Sequence, residues 1–187
     1  MKNKKMILMG AIAALTLLTY SCKGDKDTKA AAETEAAAEK PLVFAEFTDL
    51  DLSAEGIPVV IKAPKDAKVI KSTTDGELYV YGGKLFKLTL AKRDGSAEDN
   101  VSLIKEMTTD KELNPSFDKL TVDEPTAFVK AKKDGELSFT VGVNTAEGCI
   151  IIQEGMSYDQ NPDQFSDYSP ADVQLMFDAA KTATAKQ

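Results

Sequence analysis

Thr126-Ala-Phe-Val-Lys-Ala-Lys-Lys-Asp134-Gly135-Glu-Leu-Ser-Phe-Thr-Val-Gly-Val143 is the stretch on which the fold turns. Two runs rich in apolar, β-branched and aromatic residues flank Asp134-Gly135. That dipeptide accepts the positive φ of tight hairpin turns, so the stretch predicts two antiparallel strands, 126–132 and 136–143. The same signal recurs at Asp75-Gly76, between runs at 67–73 and 77–81, and Glu147-Gly148 precedes the apolar run 149–153. The phrases Asp75-Gly-Glu-Leu78 and Asp134-Gly-Glu-Leu137 repeat 59 residues apart. Little else repeats around them, so two similar hairpins explain them better than a duplication.

Working outward, Lys84 to Ala91 reads as a further strand after the turn at Gly82-Gly83. Phe86, Leu88 and Leu90 share one face while Lys87 and Thr89 take the other. Leu42–Phe47 reads as a first strand and Ile57–Lys62 as a second, with Pro58 confining the latter to an edge or a strand start. A strand is also expected over 119–122. Two helices interrupt the series. Ser96 is a natural N-cap, followed by Glu98 and Asp99 where the helix dipole favours anions, with Val101, Ile104 and Met107 as the expected buried stripe. Ser169-Pro170-Ala-Asp172 opens the last helix, with Val173, Met176, Phe177 and Ala180 at a 3–4 spacing. Five strands, a helix, four strands and a helix predict an α+β fold, an antiparallel sheet covered by two main helices.

This order resembles the PsbP-like α/β sandwich of photosystem extrinsic proteins and their bacterial relatives. The features that carry the resemblance are the strand running into Ala63-Pro-Lys-Asp-Ala67, the strand before the helix Ala97–Met107, the Asp134-Gly135 hairpin and the closing helix. The resemblance implies a fold used mostly for binding and assembly, and it carries over no catalytic residue.

Composition narrows the chemistry. The 187 residues hold 23 basic and 30 acidic side chains and no histidine or tryptophan. Residues 1–21 contribute three lysines and no acid, which leaves 20 basic against 30 acidic groups in the rest, a net charge of −10. Such a field repels phosphate backbones, so nucleic acid is not an expected partner. Without histidine there is no His-based triad and no His-based zinc site. No Gly-x-Ser-x-Gly elbow, phosphate-binding glycine loop or paired-cysteine metal motif occurs, and no cofactor is expected. Of the two cysteines, Cys149 lies in the apolar run Cys149-Ile-Ile-Ile152 and reads as a core residue.

The N-terminus carries a different message. Met1-Lys-Asn-Lys-Lys5 is basic, and the 15 residues Met6–Tyr20 are apolar but short of the ~20 a spanning helix needs. Leu18-Thr19-Tyr20-Ser21-Cys22 follows. With Ser21 and Cys22 in place, the segment resembles a bacterial lipoprotein signal, although Tyr20 is bulky and Thr19 stands where leucine is usual. The resemblance implies removal of residues 1–21, lipid on Cys22, and anchoring to a membrane through two or three acyl chains. Cleavage at the same bond by an ordinary signal peptidase is the alternative. Residues 23–40, KGDKDTKAAAETEAAAEK, contain no aromatic or branched aliphatic side chain and read as a solvated, partly helical tether. Residues 22–40 thus form the lipidated cysteine and tether, and 41–187 a single globular domain. Lys23-Gly24-Asp25-Lys26-Asp27 loosely looks like the acidic signal of surface-exported lipoproteins. The expected location is the cell envelope, at the outer membrane, on its periplasmic or surface face.

Met156–Tyr168 joins the last expected strand to the last helix. It carries Tyr158, Asp159, Asp163, Phe165, Asp167 and Tyr168, the mix expected where a loop meets a protein partner, although long loops also tuck aromatics back as packing lids. Asp159-x-Asn161-x-Asp163 has calcium-loop spacing, but Gln164 and Pro170 replace the glycine and bidentate glutamate of an EF-hand, so no metal site is assigned. The expected function is a membrane-anchored, non-enzymatic binding or assembly domain. A periplasmic sensor or carrier of a small ligand or cation is the alternative, and a carboxylate-based hydrolase is a more distant one.

Overall fold

The Asp134-Gly135 hairpin forms. In a computed structural model that describes residues 41–73, 76–155 and 168–186, strands β7 (Ala127–Lys132) and β8 (Leu137–Thr145) pair antiparallel across it. Gly135 takes φ +90° and donates its N–H to Lys132 O. Strand β9 (Gly148–Glu154) returns beside β8. At the turn between them Gly148 has φ +125°, and a Cβ there would lie 2.4 Å from Arg93 O, so both conformation and space demand glycine.

Around this core run β3 (Lys68–Lys71), β4 (Leu78–Tyr81), β5 (Lys87–Arg93) and β6 (Phe117–Glu124). They complete an antiparallel seven-stranded sheet in the order β3-β4-β5-β9-β8-β7-β6. A second, three-stranded sheet has β2 (Val59–Ala63) between β1 (Thr48–Asp51) and the two-residue β10 (Thr184–Ala185). Helices α1 (Ala97–Thr109) and α2 (Pro170–Lys181) cover the large sheet, and the protein is α+β as its sequence predicts.

The two sheet faces bury different partners. Leu88, Leu90, Ile150, Ile152, Phe139 and Val141 point to the side of α2, where Val173, Met176 and Phe177 meet them. Phe139 and Phe177 are edge to face at 5.7 Å. The small sheet closes that side with Val59, Ile61 and Ala63. On the other face, Phe128, Cys149 and Ile151 pack under Ala97 and Val101 of α1. Both helices carry the expected serine caps, Ser96 accepting from Asp99 N and Ser169 forming a capping box with Asp172.

Three features differ from the sequence reading. Leu42–Phe47 does not form a strand. Phe44–Glu46 is a 3₁₀ turn, and the strand starts at Thr48. Phe44 and Phe47 pack with tilted rings at 5.5 Å, and Phe47 meets Phe86 edge to face at 5.3 Å. Side chains three apart share a side only on a helical turn, so aromatic burial overrides the extended pattern. Second, Met107 is not in the buried stripe of α1 but 56% exposed. The helix rests on the sheet through Ala97 and Val101, opposite Gly142, and that close seat turns Met107 outward. Third, β10 was not legible, and with it the small sheet. Pro58 does stand at a strand start, and its carbonyl accepts from Lys186 N.

Two measurements follow from this packing. A Cβ at Gly142 would lie 2.9 Å from both Ala97 Cβ and Val101 Cγ2. Gly142→Val is therefore expected to lower the urea unfolding free energy by about 1–3 kcal/mol, as overpacking does; an unchanged midpoint would mean that α1 is not seated on the sheet. Cys149 is 1% exposed, and burial raises its thiol pKa. It is expected to react with thiol reagents only at the rate of unfolding, and rapid labelling of the native domain would contradict its position under α1.

Candidate functional site

Strand β9 parts from β8 at one end of the large sheet but stays with β5. The β8–β9 register ends at Thr140 opposite Gln153, whereas β5–β9 continues to Leu88 opposite Glu154, and Gly155 N–H donates to Lys87 O at 2.8 Å. The fork leaves the N–H of Phe139 without a strand partner. Glu154 supplies one, its carboxyl oxygen accepting at 2.7 Å. A buried N–H cannot go unpaired without cost, so this bond holds the carboxyl in place.

The position strains the acid. Alternation along β9 directs Glu154 to the α2 side, where burial raises its pKa to about 7. The Phe139 N–H and the positive charge of Lys130 act in the opposite direction but are outweighed. Tyr168 stands beside it at the foot of α2, its hydroxyl bonded to Gly155 O at 3.4 Å. Burial, followed by the negative charges of Glu154 and Asp172, pushes the phenol up to about 12.

The opposite face at this end is also covered. Lys87 is only 4% exposed, and its ammonium lies 4.8 Å from the ring centroid of Tyr81 and 5.0 Å from that of Tyr79. The two rings stabilise the cation through their quadrupoles. Its stem runs across Gly155, where a Cβ would come within 2.3 Å of Lys87 Cγ. Next to it Gln153 Nε2 donates to Thr140 Oγ1 at 3.0 Å. Lys130, half-buried, has its pKa lowered by desolvation against the pull of Glu154. The end of the sheet thus gathers a buried amine, a carboxyl that exchanges its proton near neutrality, and a phenol with its proton held tightly.

Open clefts also lie elsewhere among the described residues. One of ≈ 440 Å³ is lined by Leu42, Val43, Phe47, Pro64, Lys65 and Gly82. Another, ≈ 380 Å³, lies between Pro58, Lys92, Arg93, Thr145 and Glu147. Among the described residues no group of three His, Cys, Asp or Glu could hold a metal ion, and no helix is long and apolar enough to cross a membrane.

Of the residues singled out in the sequence, Tyr168 is brought to the fork, where it packs partly buried against the main core. For this one aromatic the packing role applies. Cys22, Tyr158, Asp159, Asp163, Phe165 and Asp167 lie outside the described residues. Glu154, Lys87, Tyr79 and Tyr81 were not singled out. In the run 84–91 Lys87 stands on the face opposite Phe86, Leu88 and Leu90, and nothing local in the sequence signals that this face is covered. No family model matches the chain, and no curated protein and no solved structure is significantly similar to it.

Glu154 gives a pH signature. The unfolded carboxyl ionises near 4.5 and the folded one near 7. Its contribution to stability is thus complete below about pH 4.5 and lost as the pH rises through 7. Glu154→Gln stays neutral and still offers an oxygen to Phe139 N–H. It is expected to be about 1–3 kcal/mol more stable than the natural protein at about pH 8, and nearly equal to it at about pH 4.5. Urea titrations at both pH values check this, and an equal difference at the two would mean that folding leaves the carboxyl's pKa unshifted.

Proposed function

We propose that this chain is a lipoprotein of the bacterial cell envelope whose domain, residues 41–187, is a non-enzymatic binding or assembly module. The observation that carries the reading is the order of segments along residues 1–40: a basic start, a 15-residue apolar run, Ser21-Cys22, and 18 residues that cannot build a core. Lipid on Cys22 anchors the domain, and the tether holds it off the outer membrane by up to roughly 27 Å where helical, at ~1.5 Å per residue. The likeness of the element order to the PsbP-like fold supports binding over catalysis. So does the use of the buried groups: Glu154 serves a backbone N–H, Lys87 lies over two tyrosines, and Tyr168 ties Gly155 to α2. Each of these holds the fold together.

One observation favours a second reading, a carrier of a small ligand. The cleft of ≈ 440 Å³ beside Phe47 and Pro64 falls within the roughly 300–1,000 Å³ of small-molecule sites.

Anchoring is tested by Cys22→Ala. The substituted protein is expected in the soluble periplasmic fraction and without palmitate label. If it still fractionates with membranes, lipid on Cys22 is not what holds it there.

A further inference from the structure

Three of the most exposed large apolar side chains among the described residues gather on α1 and the turn that follows it. Leu103 and Met107 of α1 are each 56% exposed, and Leu113, just beyond the helix, is 67% exposed. Leu103 and Met107 are four apart and stand side by side on the helix surface. The turn after α1 is folded back onto it. Asn114 donates from Nδ2 to Met107 O at 2.7 Å and from its backbone N–H to Asp110 O at 2.7 Å, while Glu112 N–H donates to Asp110 Oδ1 at 2.8 Å. These bonds pin Leu113 to the turn of helix that carries Met107. The opposite side of α1, Ala97 and Val101, is fully buried on the sheet, so the helix cannot roll to hide the ridge.

The rim of the ridge is acidic. Asp99, Glu106 and Asp110 follow the same helical spacing as Leu103, and Glu112 lies in the folded-back turn. Of the neighbouring lysines, Lys105 is engaged by Asp123 of β6 at 2.5 Å, which leaves Lys111. An exposed apolar strip costs solubility unless something covers it. Its surroundings select what can do so. A bilayer surface with anionic headgroups is repelled by the carboxylates. A second copy would oppose rim to like rim over three apolar side chains, too small a patch for the roughly 800 Å² per partner of a stable interface.

We propose that the Leu103–Met107–Leu113 ridge is a docking surface for a protein segment that presents apolar side chains at helical spacing flanked by lysine or arginine. This deepens the binding-module reading and rests on it. The apolar anchors would seat along the ridge, and the basic flanks would meet Glu106, Asp110 and Glu112, the arrangement of a helix-on-helix recognition site. Its charge complementarity sets both the sign of the partner and a steep dependence on salt.

The test uses the full chain and a fluorescent amphipathic peptide of leucine and lysine, read by anisotropy. The wild-type chain is expected to bind, more weakly as salt is raised. The triple variant Leu103→Ser, Met107→Ser, Leu113→Ser is expected to bind at least about tenfold more weakly with an unchanged melting temperature, since these side chains already face water. Glu106→Lys with Asp110→Lys is expected to weaken binding similarly and to remove most of its salt dependence. Equal binding by the triple variant, or no binding by the wild type, overturns the proposal. So does a large fall in the triple variant's melting temperature, which would make the ridge part of the core. Ridge-dependent binding to phosphatidylglycerol vesicles would assign the surface to a membrane instead, and a ridge-dependent dimer in sedimentation would assign it to a second copy. Peptide binding does not involve Cys22, so it stands or falls separately from palmitate labelling.

Discussion

The whole architecture depends on burying one strand on both faces. In β9, Ile150 and Ile152 point to one side of the large sheet and Cys149 and Ile151 to the other, and all four are at most 3% exposed. A strand with water on one side alternates apolar and polar residues; this one cannot, so each face needs its own cover. Helix α1 supplies one. Helix α2, together with the small sheet, supplies the other. At ~1.5–3 kcal/mol per buried branched side chain, the three isoleucines together outweigh any single polar contact in the domain.

That constraint explains the seats of the two helices. Helix α1 approaches the sheet closely because Gly142, beside β9 on β8, has no side chain to hold it off. Ala97 and Val101 fill the gap, and the rest of the helix follows their orientation, including the outward turn of Leu103 and Met107. Helix α2 sits over larger residues and uses larger ones in return, Met176 and Phe177 against Phe139. The surface that α1 offers outward is thus a consequence of how little room lies beneath it.

Where double burial stops, polar groups are caught inside. Glu154 ends β9 and inherits the enclosure of the isoleucines before it, which a carboxylate tolerates poorly. The fork makes use of it, since a partly protonated acid in fixed position completes the hydrogen bonding of β8. Lys87 is handled differently, with two tyrosine rings in place of lost water. Both solutions lie at the roots of the connection from β9 to α2, the segment where the sequence concentrates aromatics and acids.

Much of the fold was legible because its signals are local. Asp134-Gly135 needs only its own backbone preference, Ser96 and Ser169 cap helices with bonds three residues long, and the alternation of Phe86, Leu88 and Leu90 follows from the pleat. What tertiary structure alone decided involves partners distant in the chain. Phe47 turns a would-be strand into a 3₁₀ turn because Phe86 waits 39 residues on. Thr184 and Ala185 become a strand only beside β2, which lies more than 120 residues earlier. That the face carrying Lys87 is covered shows only in the assembled sheet, and Met107 reads as buried until Gly142 sets the roll of α1. In each case the deciding term is the volume and polarity of what lies opposite, and a linear pattern carries the period of an element but not the identity of the surface it will meet.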